Sequence, residues 1–308
     1  MKWLLLLGAI VLGLGVWFLF REPRARGHTL DEWLEEGVAR RDFGRAGNPS
    51  EVTAALREIG PRAIPILLAK LQATDPDWKN NLAAILNKQS LLFLEFTWAK
   101  EEQTAALYGF DVLGTNAVSA LPALEKMFWD TNMTWAAGLA LGRIGEAALP
   151  ILRAGLTNAD RDICWSAYDG TALSPALAVA TLPEMRQMRG DRDEAKAARA
   201  VSRLMRFADR EEATRVAIEA LASNRLRVRR TVLFDLTGTD TNRVVPVLVP
   251  LLEDRDWRFR SSVTNILINL DPVAAAAAGI NTNPPPMVGR GSPGRGPVGT
   301  NNPAAPRP

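Results

Sequence analysis

An internal repeat constrains this chain more than any other feature of its sequence. An apolar residue followed by proline recurs at Ile64-Pro65, Leu121-Pro122, Leu149-Pro150, Leu182-Pro183 and Val245-Pro246. The intervals between successive prolines are close to two, one, one and two units of about 30 residues, within the range of helical repeats. A second marker shares the period. Glycines that end apolar periodic stretches precede four of those prolines, at Gly60, Gly114, Gly145 and Gly238. The last three of them are spaced by one unit and then by three.

The chemistry of the markers predicts what lies between them. A helix such as SEVTAALREIG ends where glycine adopts a left-handed conformation without a Cβ penalty. Proline then opens a second helix, because its fixed φ suits the first turn and its missing N–H is not needed there. AIPILLAKL, ALPALEKMF, ALPILRAGL and VVPVLVPLL read as short helices with a broad apolar face, and Pro250 should shorten or kink the last of them. One helical pair cannot bury such faces alone, so several must stack. The expected class is all-α, an α-solenoid of about six helical-pair repeats.

At the level of family, ALREIGPRAIPILLAKL, LALGRIGEAALPILRAGL and LEDRDWRFRSSVTNILINL resemble HEAT repeats of the armadillo type, including the short bacterial variety. That family's aspartate-then-arginine pattern is matched by Asp254, Asp256, Arg258 and Arg260, and more weakly by Arg227 and Arg229. The resemblance covers most of residues 48–272 and implies a scaffold for protein interaction, with no chemistry attached. An apolar segment followed by GHTLDEWLEEG also resembles bacterial membrane-anchored HEAT proteins, which implies the inner membrane as the location.

The repeat is irregular in places. Residues 76–100 read as an insertion, with LAAILNKQSLLFLEF as a helix packed across the stack. The unit at 161–190 keeps its Leu-Pro but loses the Leu-Gly, reading YDGTALSP instead, and the unit at 193–222 has neither marker. The last unit is partial and capped by AAAAAGI. The domain reading is an anchor over 1–20, a juxtamembrane linker and short helix over 21–47, a solenoid over 48–279 and a tail over 280–308. The tail holds eight prolines and no acid, a composition that predicts disorder.

Trp3 to Phe20 is an uninterrupted apolar run without a charge. As a helix at ~1.5 Å per residue it would span roughly 27 Å, close to a bilayer's hydrocarbon core. Trp3 and Trp17 lie near its ends, where amphipathic rings favour the interface. The run therefore reads as an uncleaved anchor with either orientation open. A cleaved signal peptide is the alternative, with Ala25-Arg26-Gly27 as its formal processing site. Thr29-Leu30-Asp31-Glu32 then reads as a capping box. Leu30, Trp33, Leu34 and Val38 share one helical face, which could pack on the first repeat or lie on the membrane.

The formal charge of +3 belongs to the ends of the chain. Lys2, Arg290, Arg295 and Arg307 lie outside residues 21–280, leaving 33 basic against 34 acidic groups there. That near-neutral body lacks the basic excess of a nucleic-acid binder. Cys164 is the only cysteine and His28 the only histidine, so neither a cysteine–histidine pair nor a histidine-based metal site is expected. Asp169, Glu184, Asp191, Asp193 and Glu194 read as solvated acids. The GxGxxG match at 289–294 has neither a strand before it nor a helix after it. No catalytic residue, cofactor or metal is expected.

Binding is the function left. Arg225, Arg227, Arg229 and Arg230, with Arg255, Arg258 and Arg260 one repeat later, could align into a ridge for a protein or peptide partner. The same arginines could instead pair with acids of adjacent repeats. The alternatives are a structural envelope protein without a ligand, or a weak binder of anionic lipid or nucleic acid through this ridge. Trp78, Trp98, Trp129, Trp135, Trp165 and Trp257 are expected mostly between repeats, and Cys164 as a small buried residue.

Overall fold

A computed structural model describes residues 22–43, 49–86, 97–130, 132–234, 236 and 238–281, with the side chains of 40–43, 49 and 83–86 left aside. The expected anchor at 3–20 and all but the first two residues of the expected tail lie outside these residues. Among the described residues the chain is all-α apart from one two-residue hairpin, and no helix is long and apolar enough to cross a membrane.

The fold starts at that hairpin. β1 (Arg24–Ala25) pairs antiparallel with β2 (His28–Thr29), and Arg26 and Gly27 turn the corner at φ 53° and 86°. Two successive positive φ values are what a two-residue type I′ loop requires. The expected capping box then opens α1 (Leu30–Phe43): the Thr29 N–H donates to Glu32 Oε2 at 2.7 Å and the Glu32 N–H to Thr29 Oγ1 at 3.3 Å. Leu30, Trp33 and Leu34 are buried, and Trp33 Nε1 donates to the Ala25 carbonyl at 2.9 Å. The stripe packs on α2 (Pro49–Ile59) and, further along the chain, α5 (Ala99–Leu113).

Glycine and proline shape the next units as expected. α2, α5 and α7 (Thr134–Ile144) end at Gly60, Gly114 and Gly145, with φ of 60°, 51° and 93°. The ψ values of −126° and −143° at Gly114 and Gly145 lie far from the left-handed helical region, in extended backbone that only glycine adopts readily. After short 3₁₀ turns, α3 (Ile64–Leu71), α6 (Leu121–Phe128) and α8 (Leu149–Leu156) carry Pro65, Pro122 and Pro150 in their first turns. The inserted segment starts as α4 (Asp77–Leu86), and residues 87–96 of the expected crossing helix lie outside the described set.

In the C-terminal half aspartate marks the helix starts, while helix ends fall at residues such as Ala172, Ala208 and Ala222. Asp160, Asp193, Asp209, Asp240 and Asp256 accept first-turn N–H groups of α9 (Arg161–Thr171), α12 (Glu194–Phe207), α13 (Arg210–Leu221), α15 (Thr241–Leu248) and α16 (Trp257–Leu270). The partner of α9 is broken into α10 (Pro175–Ala180) and α11 (Leu182–Met188), because Pro183 has no N–H to continue a helix. Two expected markers fail here. Gly238 lies beyond the end of α14 (Leu226–Val232) without a positive φ, and Pro246 lies inside α15 rather than at its start. Pro250 does shorten that helix, which passes into a 3₁₀ turn over Val249–Glu253. α17 (Pro272–Ala277) ends as expected at AAAAAGI: Gly279 (φ 79°) donates to Ala276 and Ile280 to Ala275, both at 3.0 Å, a Schellman closure.

A further marker of the same period, separate from the glycine and proline pattern, runs through the turns that precede α7, α9, α12, α14 and α16. Side-chain oxygens of Asp130, Asn158, Asp191, Ser223 and Asp254 each accept the N–H two positions on, at 3.1, 2.7, 2.8, 3.2 and 2.9 Å. Each step along this series is again about 30 residues, one unit of a helical repeat. Asp75 belongs to the same series across the insertion. It accepts the Ala99 N–H at 3.0 Å and so starts α5 from across the inserted segment.

The closest packing joins α7 to α9. A methyl group at Gly138 would collide with Ser166, one at Gly142 with the Gly170 carbonyl, and one at Gly170 with the Gly138 carbonyl. Ser166 Oγ donates to the Thr134 carbonyl at 2.5 Å across the same seam. Small residues four apart on both helices bring backbone against backbone.

Gly142→Ala tests this seam. Helix propensity alone would favour alanine by about 1 kcal/mol, but overpacking costs about 1–3 kcal/mol. The variant should therefore lose stability in urea unfolding, whereas Gly190→Ala, whose methyl would lie 3.7 Å from the Gln187 carbonyl, should unfold near the wild-type midpoint.

Candidate interaction surface

The seven arginines read from the sequence separate into two groups. Arg225 donates to the carbonyls of Asp191 at 2.5 Å and Arg189 at 3.2 Å, tying the start of α14 to the turn one unit earlier. Arg230 meets Asp256 at 2.8 Å. Arg229 pairs with the Asp254 carboxylate and lies over the Phe259 ring, while Arg260 donates to the Asp254 carbonyl. These four fix α14, α16 and the turns beside them to one another, as the pairing alternative expected for Arg229 and Arg230.

Arg227, Arg255 and Arg258 are exposed, and their guanidinium groups meet no carboxylate among the described residues. Arg227 and Arg258 are each the second residue of their helix and so occupy the same place in successive units. Trp257 is 64 % exposed beside them, with the Arg258 guanidinium 5.4 Å from its ring centroid. What remains exposed is Trp257 with Arg258 against its ring, together with Arg255 in the preceding turn and Arg227 one period earlier.

The tryptophans depart from expectation. Trp78, Trp129, Trp135 and Trp257 are exposed, rather than packed between units. All four lie beside the turns of the Asp75–Asp254 series. Trp98 and Trp165 are half-buried, and Trp165 is stacked by Arg199 at 4.0 Å. Arg199 and Arg203 of α12 reach back over Tyr168 of α9, at 5.1 and 4.1 Å. Arg203 is 3 % exposed and, without a carboxylate, donates to Thr171 Oγ1 at 3.1 Å and the Tyr168 carbonyl at 2.9 Å. Nothing in the repeat markers pointed to this buried arginine.

Cys164 is buried, its Sγ donates to the Leu156 carbonyl at 3.4 Å, and burial pushes its thiol up. His28 sits on the hairpin, its ring 5.0 Å from that of Trp33. Asp191 and Asp193 are turn and cap residues, Glu184 pairs with Arg153 at 3.3 Å and Asp169 with Arg199 at 3.2 Å. Among the described residues, no group of histidine, cysteine and carboxylate side chains is placed to hold a metal ion. The chain is thus an all-α protein whose charged groups chiefly order its helices. No protein-family model and no curated protein matches it.

The turn aspartates make the fold sensitive to acid. The Asp256 N–H holds the Asp254 carboxyl below its usual range, with Arg229 adding to it, and the Phe259 N–H does the same for Asp256. Such groups stabilise the fold above the unfolded-state value of about 3.9 and stop doing so as pH falls through their lower folded values. The urea midpoint should therefore drop below pH of about 4. Asp254→Asn should be less stable at neutral pH and show a shallower acid slope; an unchanged slope would contradict the assignment.

Proposed function

We propose that this chain is a HEAT-type solenoid, anchored in the bacterial inner membrane, that binds a protein partner through the edge carrying Arg227, Arg255, Trp257 and Arg258. The observation that carries this reading is the equivalence of Arg227 and Arg258, exposed one period apart beside an exposed tryptophan. Arginine and tryptophan are the residue types that dominate binding energy at protein interfaces. A partner with acidic groups around an apolar side chain would satisfy all four.

The repeat reading is supported by the evenly stepped turn series from Asp130 to Asp254 and by packing that runs mainly between neighbours in the chain. An uncleaved anchor is supported by the contacts of the residues just after it. Glu22 Oε1 accepts the Asp31 N–H at 2.7 Å, the Pro23 carbonyl accepts the Leu30 N–H at 3.0 Å, and Ala25 is buried beneath Trp33. Processing at Ala25-Arg26-Gly27 would remove all of these. The proposed role is binding without catalysis or cofactor.

A photo-cross-linking amino acid at position 257 of the full chain, expressed in bacterial membranes, should capture a partner. Arg227→Glu combined with Arg258→Glu should abolish the adduct while leaving the helical circular dichroism unchanged. The same probe at Asn265, exposed two turns along α16, should capture nothing. Failure to cross-link at 257, or adducts indifferent to both charge reversals, would favour a structural envelope protein instead.

A further inference from the structure

We infer that a second binding site, of opposite charge, lies among the N-terminal helices, between α1, α3 and α5, and takes a basic peptide segment with apolar neighbours. The site is a cleft of about 440 Å³, within the size range of ligand sites. One wall is apolar, from Leu34 and Val38 of α1 and Ala105 of α5. The rest is charged, and predominantly acidic: Asp31, Glu35, Glu101 and Glu102 against Lys70 and Lys100.

The charges are not equivalent. Lys70 lies between Asp31, at 3.1 Å, and Glu102. Burial alone would lower the Lys70 ammonium, yet the hydrogen bonds from Lys70 to Glu102 and Asp31 outweigh it and hold it above its usual range. This lysine is a fixed cation that clamps α1 onto α3 and α5, and it is no nucleophile. The clamp offsets only part of the negative charge. Lys70 is shared between the Asp31 and Glu102 carboxylates, and Glu35, one helical turn along α1, is exposed on the cleft rim. A second cleft of about 450 Å³ adjoins on the far side of the same clamp, lined by Ile66 and Ala69 and sharing Asp31, Lys70 and Glu102. An apolar wall beside an unbalanced acidic rim, continued past a buried ion-pair cluster, fits an extended segment that alternates basic and apolar side chains. An acidic segment would meet four carboxylates against two ammonium groups, Glu101 among them already accepting the Trp98 N–H at 2.9 Å.

The test uses the full-length protein in detergent and a fluorescein-labelled hexapeptide of alternating leucine and arginine, with a leucine–glutamate hexapeptide as control. Anisotropy should rise with the basic probe alone, and less so as salt increases. Glu35→Lys should weaken binding about five-fold and Lys100→Glu strengthen it by a similar factor, as expected for partly exposed ion pairs. Both residues are exposed at the rim, so neither change should disturb folding, which circular dichroism would verify. Arg227→Glu with Arg258→Glu should leave this affinity unchanged, which separates the cleft from the arginine–tryptophan edge. Equal binding of both peptides, no binding at all, or affinities indifferent to residues 35 and 100 would overturn the inference.

Discussion

Backbone contact between α7 and α9 is the constraint on which the rest of the arrangement depends. Gly138, Gly142 and Gly170 remove the side chains that would hold two helices at ordinary separation, and Ser166 adds a hydrogen bond across the gap. Two helices this close have little freedom to slide or rotate, since each missing Cβ is replaced by the other helix's main chain. Neighbouring layers inherit that register. Phe128 of α6 lies against Gly155 of α8, and Arg203 of α12 fixes the next layer onto the C-terminal end of α9.

Apolar burial, rather than charge, supplies the stability. One continuous set of buried side chains runs from Ala25 and Leu30 to Leu267 and Ala275, and each full-sized member contributes on the order of 1.5–3 kcal/mol. The ion pairs are numerous but mostly solvent-exposed, and such pairs contribute about 0–1 kcal/mol each. Their value lies in direction. Arg186 to Glu212, Arg189 to Glu219, Arg199 to Asp169 and Arg243 to Glu211 all join side chains one unit apart along the chain. They therefore specify which turn faces which, one period on.

Much of the helical organisation was legible in the sequence, and its failures have physical causes. Gly60, Gly114 and Gly145, with Pro65, Pro122 and Pro150, could be read because each of those residue types has one strong backbone preference. Gly238 misled because glycine is also used where chains approach closely, here with a methyl position 2.7 Å from the Met205 carbonyl. The aspartate turns were harder to see, since Asp, Asn and Ser serve the same hydrogen bond and their substitution hides the period. The α7–α9 seam left only Gly138 and Gly142 as a trace, and its meaning depends on Ser166 and Gly170 a full unit away. The arginine edge was half legible. Sequence grouped the seven arginines, but only the contacts separate Arg225, Arg229, Arg230 and Arg260 from Arg227, Arg255 and Arg258. The cleft around Lys70 combines residues of three helices with no shared spacing, so no local pattern announced it.

The two surfaces differ in sign, cationic with tryptophan around α14 and α16 and mainly acidic around α1 and α5, and both depend on units held in register by the central seam. Native-state hydrogen exchange of the full chain, followed by mass spectrometry, tests that dependence most directly. Strongest protection is predicted in α7 and α9, declining toward α16 and α17. Uniform protection across all helices, or exchange in α7 and α9 before the terminal units, would contradict it.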